Sequence, residues 1–164
     1  MQVIKKDGEE GFNLIKSVWE IELWPERKSE IKSMSSMAYL GGYNMNIYEE
    51  YNPTFFLIQL DNKIIGVNSG FKTAPYLYRS RGIWIDSNYR GKSISKKLFE
   101  SLKTQAIKEN CTHIWSIPRQ SAWPAYKAFG FEQTSDWFNE GMEFGPNCYV
   151  LKEIKILTID VNCC

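Results

Sequence analysis

The stretch that decides the fold reads Ile83-Trp84-Ile85-Asp86-Ser87-Asn88-Tyr89-Arg90-Gly91-Lys92-Ser93-Ile94-Ser95. Its β-branched and aromatic start, residues 83–85, predicts a buried strand. Residues 86–88 predict a turn, because Asp, Ser and Asn side chains bond to their own backbone. A helix is predicted to begin near Gly91, because apolar side chains recur at every fourth residue from Ile94 to Ala106.

The junction between this loop and the helix is suited to binding an anion. The first turn of a helix presents backbone N–H groups that have no intrahelical partner, and the helix dipole adds partial positive charge there. Arg90 and Lys92 add full charges beside these groups. We therefore expect the loop to hold a pyrophosphate.

Two families use a loop of this kind. Residues 86–93 end in Gly-Lys-Ser, as the P-loop of nucleotide hydrolases does, and residues 156–160 resemble the apolar strand with Asp that accompanies it. However, Asp86 stands where that loop needs a glycine for its turn, and its carboxylate would face the phosphates. Residues 90–95 instead resemble the acetyl-CoA loop of the GCN5-related N-acetyltransferase (GNAT) family, Arg/Gln-x-x-Gly-x-Gly/Ala. Ser93 and Ser95 occupy its small positions.

Length and composition indicate a single domain, residues 1–164, in which residues 155–164 are interpreted as a frayed tail. The chain has 20 basic and 19 acidic residues, which argues against a nucleic-acid surface. It contains no apolar run of about 18 residues and no signal peptide, so we expect a cytoplasmic protein without a membrane partner. The 4 cysteines show no C-x-x-C spacing, and neither a zinc site nor a disulfide framework is indicated.

The rest of the chain predicts further strands and helices. Strands 54–60 and 64–71 are separated by three residues and must be antiparallel, which weighs against the parallel sheet of a P-loop enzyme. Helices are predicted at 11–24, at 26–39 and at 121–129, the last with Ser121 as N-cap and Gly130 as C-cap. Other strands are predicted at 1–5, 112–117, 132–138 and 148–155.

The resulting order, β-α-α-β-β-β-α-β-α-β-β, resembles that of the GNAT family over essentially the whole chain. Residues 122–131, Ala-Trp-Pro-Ala-Tyr-Lys-Ala-Phe-Gly-Phe, also resemble the family's Ala-x-x-x-Tyr-x-x-x-Gly-Phe. The resemblance implies the GNAT acyl-CoA N-acyltransferase fold of the α/β (α+β) class, with a central, mixed and mostly antiparallel sheet flanked by helices.

This resemblance implies an acetyl-CoA-dependent N-acetyltransferase, with acetyl-CoA as cosubstrate and no metal. The central strand and strand 112–117 would splay apart to admit the pantetheine arm. The residues it assigns to the cofactor are Trp84, Ile85, Arg90, Gly91, Lys92, Ser93, Ile94 and Ser95. If the loop has lost this function, Ser93 would serve only to cap the helix.

Tyr126 matches the family position whose phenol protonates the departing thiolate, although its helical face also suits a core residue. The glutamate that family members often carry on the central strand is absent, since that region reads Arg79-Ser80-Arg81. A water relay or a carboxylate from another loop would act instead, and the candidates are Glu49, Glu50, Glu140 and Glu143. His113, the only histidine, is interpreted as structural.

The resemblance places the amine acceptor near the first inter-helix region and the last hairpin loop, where Trp24, Glu140 and Glu143 are candidates. Acidic and aromatic groups suit a cationic amine, either a small molecule or a peptide. Family members often dimerise, so a homodimer is one expectation. A catalytically silent binding or regulatory module of the same fold is the alternative, and a P-loop hydrolase is a weaker one.

Overall fold

The computed structural model describes residues 1–35, 52–140, 142 and 144–154. In these residues a single sheet of seven strands has the order β1-β2-β3-β4-β5-β7-β6. The strands are β1 (Ile4–Asp7), β2 (Thr54–Leu60), β3 (Lys63–Ala74), β4 (Leu77–Ile85), β5 (His113–Ser116), β6 (Glu132–Gln133) and β7 (Val150–Glu153). Among the described strands, only β4 and β5 pair in parallel, and every other pairing is antiparallel. The mixed, mostly antiparallel sheet predicted from the sequence is therefore confirmed.

The β2–β3 hairpin is also confirmed. Asp61 and Asn62 form its turn with φ values of 50° and 62°. Two consecutive residues in the left-handed region match the twist of the flanking strands, and Asp and Asn tolerate that conformation better than most residues.

Three helices pack against the sheet in the described part of the chain: α1 (Gly8–Val18), which continues as a π-helical turn (Trp19–Leu23), α2 (Ile94–Lys108) and α3 (Trp123–Phe129). The helix α2 begins at Ile94, three residues later than predicted. Gly130 ends α3 with φ 99°, as predicted. The predicted cap Ser121 is wrong, because Ala122 is the N-cap and makes no side-chain bond there.

The predicted helix at 26–39 is wrong in its described part. Residues 26–35 are irregular, and residues 36–39 lie outside the described residues. Ile31 is nevertheless buried, and the carbonyl of Lys32 accepts a 2.7 Å hydrogen bond from Arg81 Nη1. The segment is therefore fixed by contacts with the sheet, which replace the backbone bonds of a helix.

The sheet separates two hydrophobic cores. On one face, Phe56 and Ile58 of β2 pack with the apolar stripe of α2 and with Tyr126. On the other face, the alternate residues Phe55 and Leu57 pack with α1 and its π-helical turn. This alternation is what a strand buried on both sides requires. No helix among the described residues is long and apolar enough to cross a membrane.

Candidate functional site

The site begins where β4 and β5 separate, at a point here called the β4–β5 fork. Their parallel pairing runs from Leu77↔His113 to Arg79↔Trp115 and then stops, although β4 continues to Ile85. At the point of separation, Ser116 Oγ donates a 2.7 Å hydrogen bond to the carbonyl of Ser80. The sequence-based expectation that these strands splay is therefore met, and β4 beyond Ser80 has an edge not paired with β5.

A cleft of about 530 Å³ opens along this edge and is here called the cofactor cleft. Its walls are the end of β4, the loop before α2, the first residues of α2 and the start of α3. Seven of the eight residues assigned to the cofactor line it: Trp84, Ile85, Arg90, Gly91, Ser93, Ile94 and Ser95. The sequence motif and the cleft thus coincide.

The loop before α2 adopts left-handed backbone at two positions. Gly91 has φ 77°, and a Cβ built there would meet no atom within 4 Å. Ser93 has φ 60° and ψ 21° and is the N-cap of α2, but its side chain makes no capping bond. Ser93 therefore does not serve as a side-chain cap, and its backbone conformation is one that glycine adopts without cost.

Lys92 is the one assigned residue that does not line the cofactor cleft. Its Nζ lies 5.2 Å from the ring centroid of Tyr89.

Asp86 lies at the start of the loop, where Lys63 Nζ is 2.7 Å from its Oδ2 and holds the pKa of the carboxyl below its usual range. A P-loop enzyme has a parallel core sheet, whereas the described sheet is mostly antiparallel, so the P-loop alternative is wrong.

A second cavity, of about 300 Å³, adjoins the cleft and is here called the acceptor cavity, because Trp24, which the sequence analysis expected near the acceptor, lines it. The two share four lining residues: Leu23, Ile83, Arg119 and Ala122. Trp24 and Tyr126 line the acceptor cavity, but Glu140 lines neither space and is exposed. Glu49, Glu50 and Glu143 lie outside the described residues.

Tyr126 is 2% exposed, and its hydroxyl belongs to a buried polar network. It lies 3.0 Å from Ser116 Oγ and 3.4 Å from Ser80 Oγ. Ser116 Oγ is within hydrogen-bond distance of both the Ser80 carbonyl and the Tyr126 hydroxyl, so the phenol is held in place by two serine side chains. Burial raises the pKa of the phenol, so Tyr126 is neutral and carries a proton at pH 7.

His113 lies at the other end of the paired segment of β4 and β5, away from the point where the two strands separate. It is the first residue of β5, and its Nδ1 is 2.8 Å from Thr112 Oγ1. Neither cavity includes it. This position agrees with the structural role inferred from the sequence.

The structure adds residues that sequence reasoning did not assign to the site. Arg79, Arg81 and Arg119 line the acceptor cavity, together with Asn147. The signal for the first two was present, since a buried strand carries arginines at positions 79 and 81, two residues apart and so on one face. Arg119 and Asn147 come from loops without a recognisable pattern.

The family model described as "Acetyltransferase (GNAT) family" matches residues 15–131. No curated protein sequence matches this chain significantly. An acetyltransferase of the GNAT family from Staphylococcus aureus aligns with a TM-score of 0.63 and 16% identity, covering 93% of this chain and 99% of its own.

Two other solved structures share the fold. An aminoglycoside 6'-N-acetyltransferase complexed with coenzyme A aligns with a TM-score of 0.65 and 11% identity, over 92% of this chain and 96% of its own. Ard1 from Thermoplasma volcanium aligns with a TM-score of 0.64 and 14% identity, over 95% and 100%. The family model matches most of the sequence, and the sheet separates beside a helix N-terminus. The chain therefore belongs to the GNAT family of acetyltransferases.

Proposed function

We propose that this protein transfers an acetyl group from acetyl-CoA to a primary amine, by direct attack of the amine within a ternary complex. The observation that carries the proposal is that the two cavities adjoin at the β4–β5 fork, where they share four lining residues. The cofactor cleft contains the motif residues, and the acceptor cavity contains Tyr126, one helical turn after the shared residue Ala122. Both reactants can therefore meet at one point.

The residues of the cofactor cleft fit acetyl-CoA. The open space at Gly91 lets a phosphate approach the backbone, and the N-terminus of the 15-residue helix α2 offers N–H groups and the positive end of its dipole. Arg90 adds a charge at the same rim. Backbone groups near Trp84 and Ile85, on the edge that β5 leaves open, would hold the extended arm as an added strand does.

When bound, acetyl-CoA supplies the acetyl group as a thioester. The chain contributes mainly by positioning the amine against it. Tyr126 holds a proton on its hydroxyl and can donate it to the leaving sulfur, while Ser116 and Ser80 keep the phenol oriented. None of the described residues that line the acceptor cavity is Asp or Glu. The amine proton is thus left to water or to a carboxylate that does not line this cavity.

The test compares melting temperatures with acetyl-CoA, CoA and Mg-ATP, followed by release of free CoA in the presence of a panel of amines. A ligand that binds only the folded state must raise the melting temperature. Stabilisation by acetyl-CoA with amine-dependent CoA release supports the proposal. Stabilisation without release from any amine supports the silent module instead. Stabilisation by none of the three ligands would contradict cofactor binding itself.

A further inference from the structure

Tyr126 carries a negative charge after it has donated its proton. In the proposed transfer the amine nitrogen bonds to the acetyl carbon, the C–S bond breaks, and the leaving sulfur takes the proton of the Tyr126 hydroxyl. The new amide nitrogen releases its extra proton to solvent, and the phenolate regains a proton from solvent. A phenolate that forms in a buried place is unstable unless hydrogen-bond donors reach its oxygen.

The surroundings of this phenol are mostly apolar. Tyr126 is 2% exposed, and its ring centroid lies 4.9 Å from that of Phe99 in α2 and 5.1 Å from that of Phe131. Neither of these rings carries a charge. Burial raises the pKa of the phenol, and the charge of Arg79 on β4 lowers it. The polar contacts of the hydroxyl therefore decide how readily Tyr126 acts as an acid.

Two serine hydroxyls reach the phenol, one from each strand of the β4–β5 fork. Ser116 Oγ lies 3.0 Å and Ser80 Oγ lies 3.4 Å from the Tyr126 hydroxyl oxygen. The two serines are not equivalent, because Ser116 Oγ also lies 2.7 Å from the Ser80 carbonyl, which can only accept. The single proton of Ser116 is thus divided between two acceptors. Ser80 is the second donor that a buried phenolate needs.

Asn68 of β3 orients the hydroxyl of Ser80. Its side chain is fully buried, and its Nδ2 donates a 3.1 Å hydrogen bond to Ser80 Oγ. Its Oδ1 accepts a 2.9 Å hydrogen bond from the backbone N–H of Ser69. Because a backbone N–H can only donate, the amide cannot be turned the other way round. An N–H donated to Ser80 Oγ leaves the proton of that hydroxyl available to Tyr126.

The sheet places Asn68 on the same side as the phenol. Ser80 pairs with Gly70 of β3, which brings no side chain to this position. Asn68 lies two residues before Gly70 and reaches Ser80 diagonally across the pair of strands. On its other side Asn68 pairs with Phe56, which belongs to the core that also contains Tyr126. Asparagine is uncommon in strands, so a fully buried one that contacts this network favours a role in it.

We propose that Asn68 and Ser80 form a chain of hydrogen-bond donors that stabilises the phenolate form of Tyr126, and that both are positioning residues for its acid step. The role in catalysis rests on the proposed function. In the neutral protein the Ser80 proton can be directed to Asn68 Oδ1, 3.3 Å away, or to the phenol. A phenolate is the stronger acceptor because it is charged, so the Ser80 hydroxyl then donates to it while Asn68 donates to Ser80.

The test titrates Tyr126 itself. All 9 tyrosines are replaced by 3-fluorotyrosine, because fluorine lowers the pKa of a phenol and so brings its titration nearer to neutral pH. The ¹⁹F signal of Tyr126 is the one that is lost in Tyr126→Phe. Ser80→Ala should move the titration midpoint of this signal upward by about 1 pH unit, because a hydrogen bond to a charged group is lost. Loosened packing would admit water and move the midpoint downward, so it does not mimic this result.

Ser69→Ala is the matched control. Ser69 is fully buried, as Ser80 is, and its Oγ donates a 2.7 Å hydrogen bond to a backbone carbonyl of β4. It pairs with Phe55, whose side chain lies in the core against α1, on the face of the sheet opposite to Tyr126. The variant makes the same chemical change and also removes a buried hydrogen bond. It should leave the titration midpoint of Tyr126 unchanged.

Asn68→Leu tests whether Asn68 acts through Ser80. Alone, this variant should also move the midpoint upward, because Ser80 loses the group that orients it. Combined with Ser80→Ala it should add nothing, because no hydroxyl remains for Asn68 to orient. Circular dichroism checks the fold of every variant over the pH range of the titration. If the leucine does not fit and the variant is unfolded, Asn68→Ala makes the same comparison.

Three outcomes would overturn the inference: equal midpoints in Ser80→Ala and Ser69→Ala, full additivity of the Asn68 and Ser80 substitutions, or a parent protein whose Tyr126 stays protonated up to alkaline unfolding. Acetyl transfer is measured separately, and Ser80→Ala should lower kcat by about 3-fold to 10-fold, because a weaker acid donates its proton less readily. The upward shift without transfer to any amine would reject the proposed function and retain the chain of donors. Transfer with equal midpoints would do the reverse.

Discussion

Replacing Ser93 with glycine should stabilise the protein. Ser93 has φ 60° and ψ 21°, and its side chain makes no capping bond that the substitution would remove. A non-glycine residue in this region costs about 1–2 kcal/mol. Relief of this strain is partly offset, by about 0.4–1 kcal/mol, because glycine increases the conformational entropy of the unfolded chain. The net increase in unfolding free energy is centred on about 0.8 kcal/mol, within a range of about 0–1.6 kcal/mol, and the central value corresponds to roughly 2–3 °C in melting temperature for a chain of this size.

Ser95→Gly is the matched control, because it makes the same chemical change two residues later. Ser95 is the second residue of α2, where the backbone is helical. Glycine in a helix is less favourable than serine, so this variant should lose roughly 0.5 kcal/mol. Denaturant titrations without ligand measure both values. If Ser93→Gly lowers stability as much as Ser95→Gly does, the left-handed conformation of residue 93 is refuted.

Three further predictions follow from the site and its frame. Tyr126→Phe should lower kcat for acetyl transfer by about 10²–10⁴-fold, while the unfolding free energy falls by only about 1 kcal/mol. An unchanged kcat would mean that Tyr126 contributes to packing and not to catalysis. Gly82→Ala should lower the unfolding free energy by about 2–4 kcal/mol. The reason is that φ at Gly82 is 76° and the added Cβ would lie 2.4 Å from the indole of Trp19. A urea-unfolding midpoint equal to that of the parent protein would contradict this prediction. The third concerns acid stability. Because Lys63 lowers the pKa of Asp86, their pairing stabilises the fold fully above the ordinary pKa of an aspartate, and this stability is lost as pH falls through the lowered folded-state value. In the Asp86→Asn variant, the unfolding free energy should therefore fall less steeply as the pH is lowered into the acid range. If the variant and the parent protein lose stability equally over that range, the pairing does not contribute to acid stability.

Features that depend on neighbouring residues could be predicted from the sequence. The β2–β3 hairpin follows from two apolar runs around Asp61 and Asn62, and α2 follows from the four-residue spacing of its buried side chains. The cofactor loop was located because its chemistry is carried by consecutive residues. Helix ends were less accurate: α2 begins at Ile94 because Gly91 and Ser93 are left-handed, which cannot be read from residue types alone.

The helix predicted at 26–39 shows where local pattern misleads. Ile31 lies at helical spacing from Met34 and is indeed buried, but in an irregular segment. The buried guanidinium of Arg81, 49 residues away in the sequence, donates a hydrogen bond to the Lys32 carbonyl. Such a tertiary contact cannot be predicted from helix propensity.

The sequence by itself determined the family, the sheet with its covering helices and the position of the cofactor loop, because periodic burial and contiguous motifs are local properties of the chain. The chemistry of the acceptor cavity was decided only by tertiary structure. Arg79 and Arg81 come from β4, Arg119 from the segment after β5, and Asn147 from the segment before β7. Folding brings these distant residues to one cavity, while Glu140 remains exposed outside it, so the set of side chains at the site depends on which segments meet.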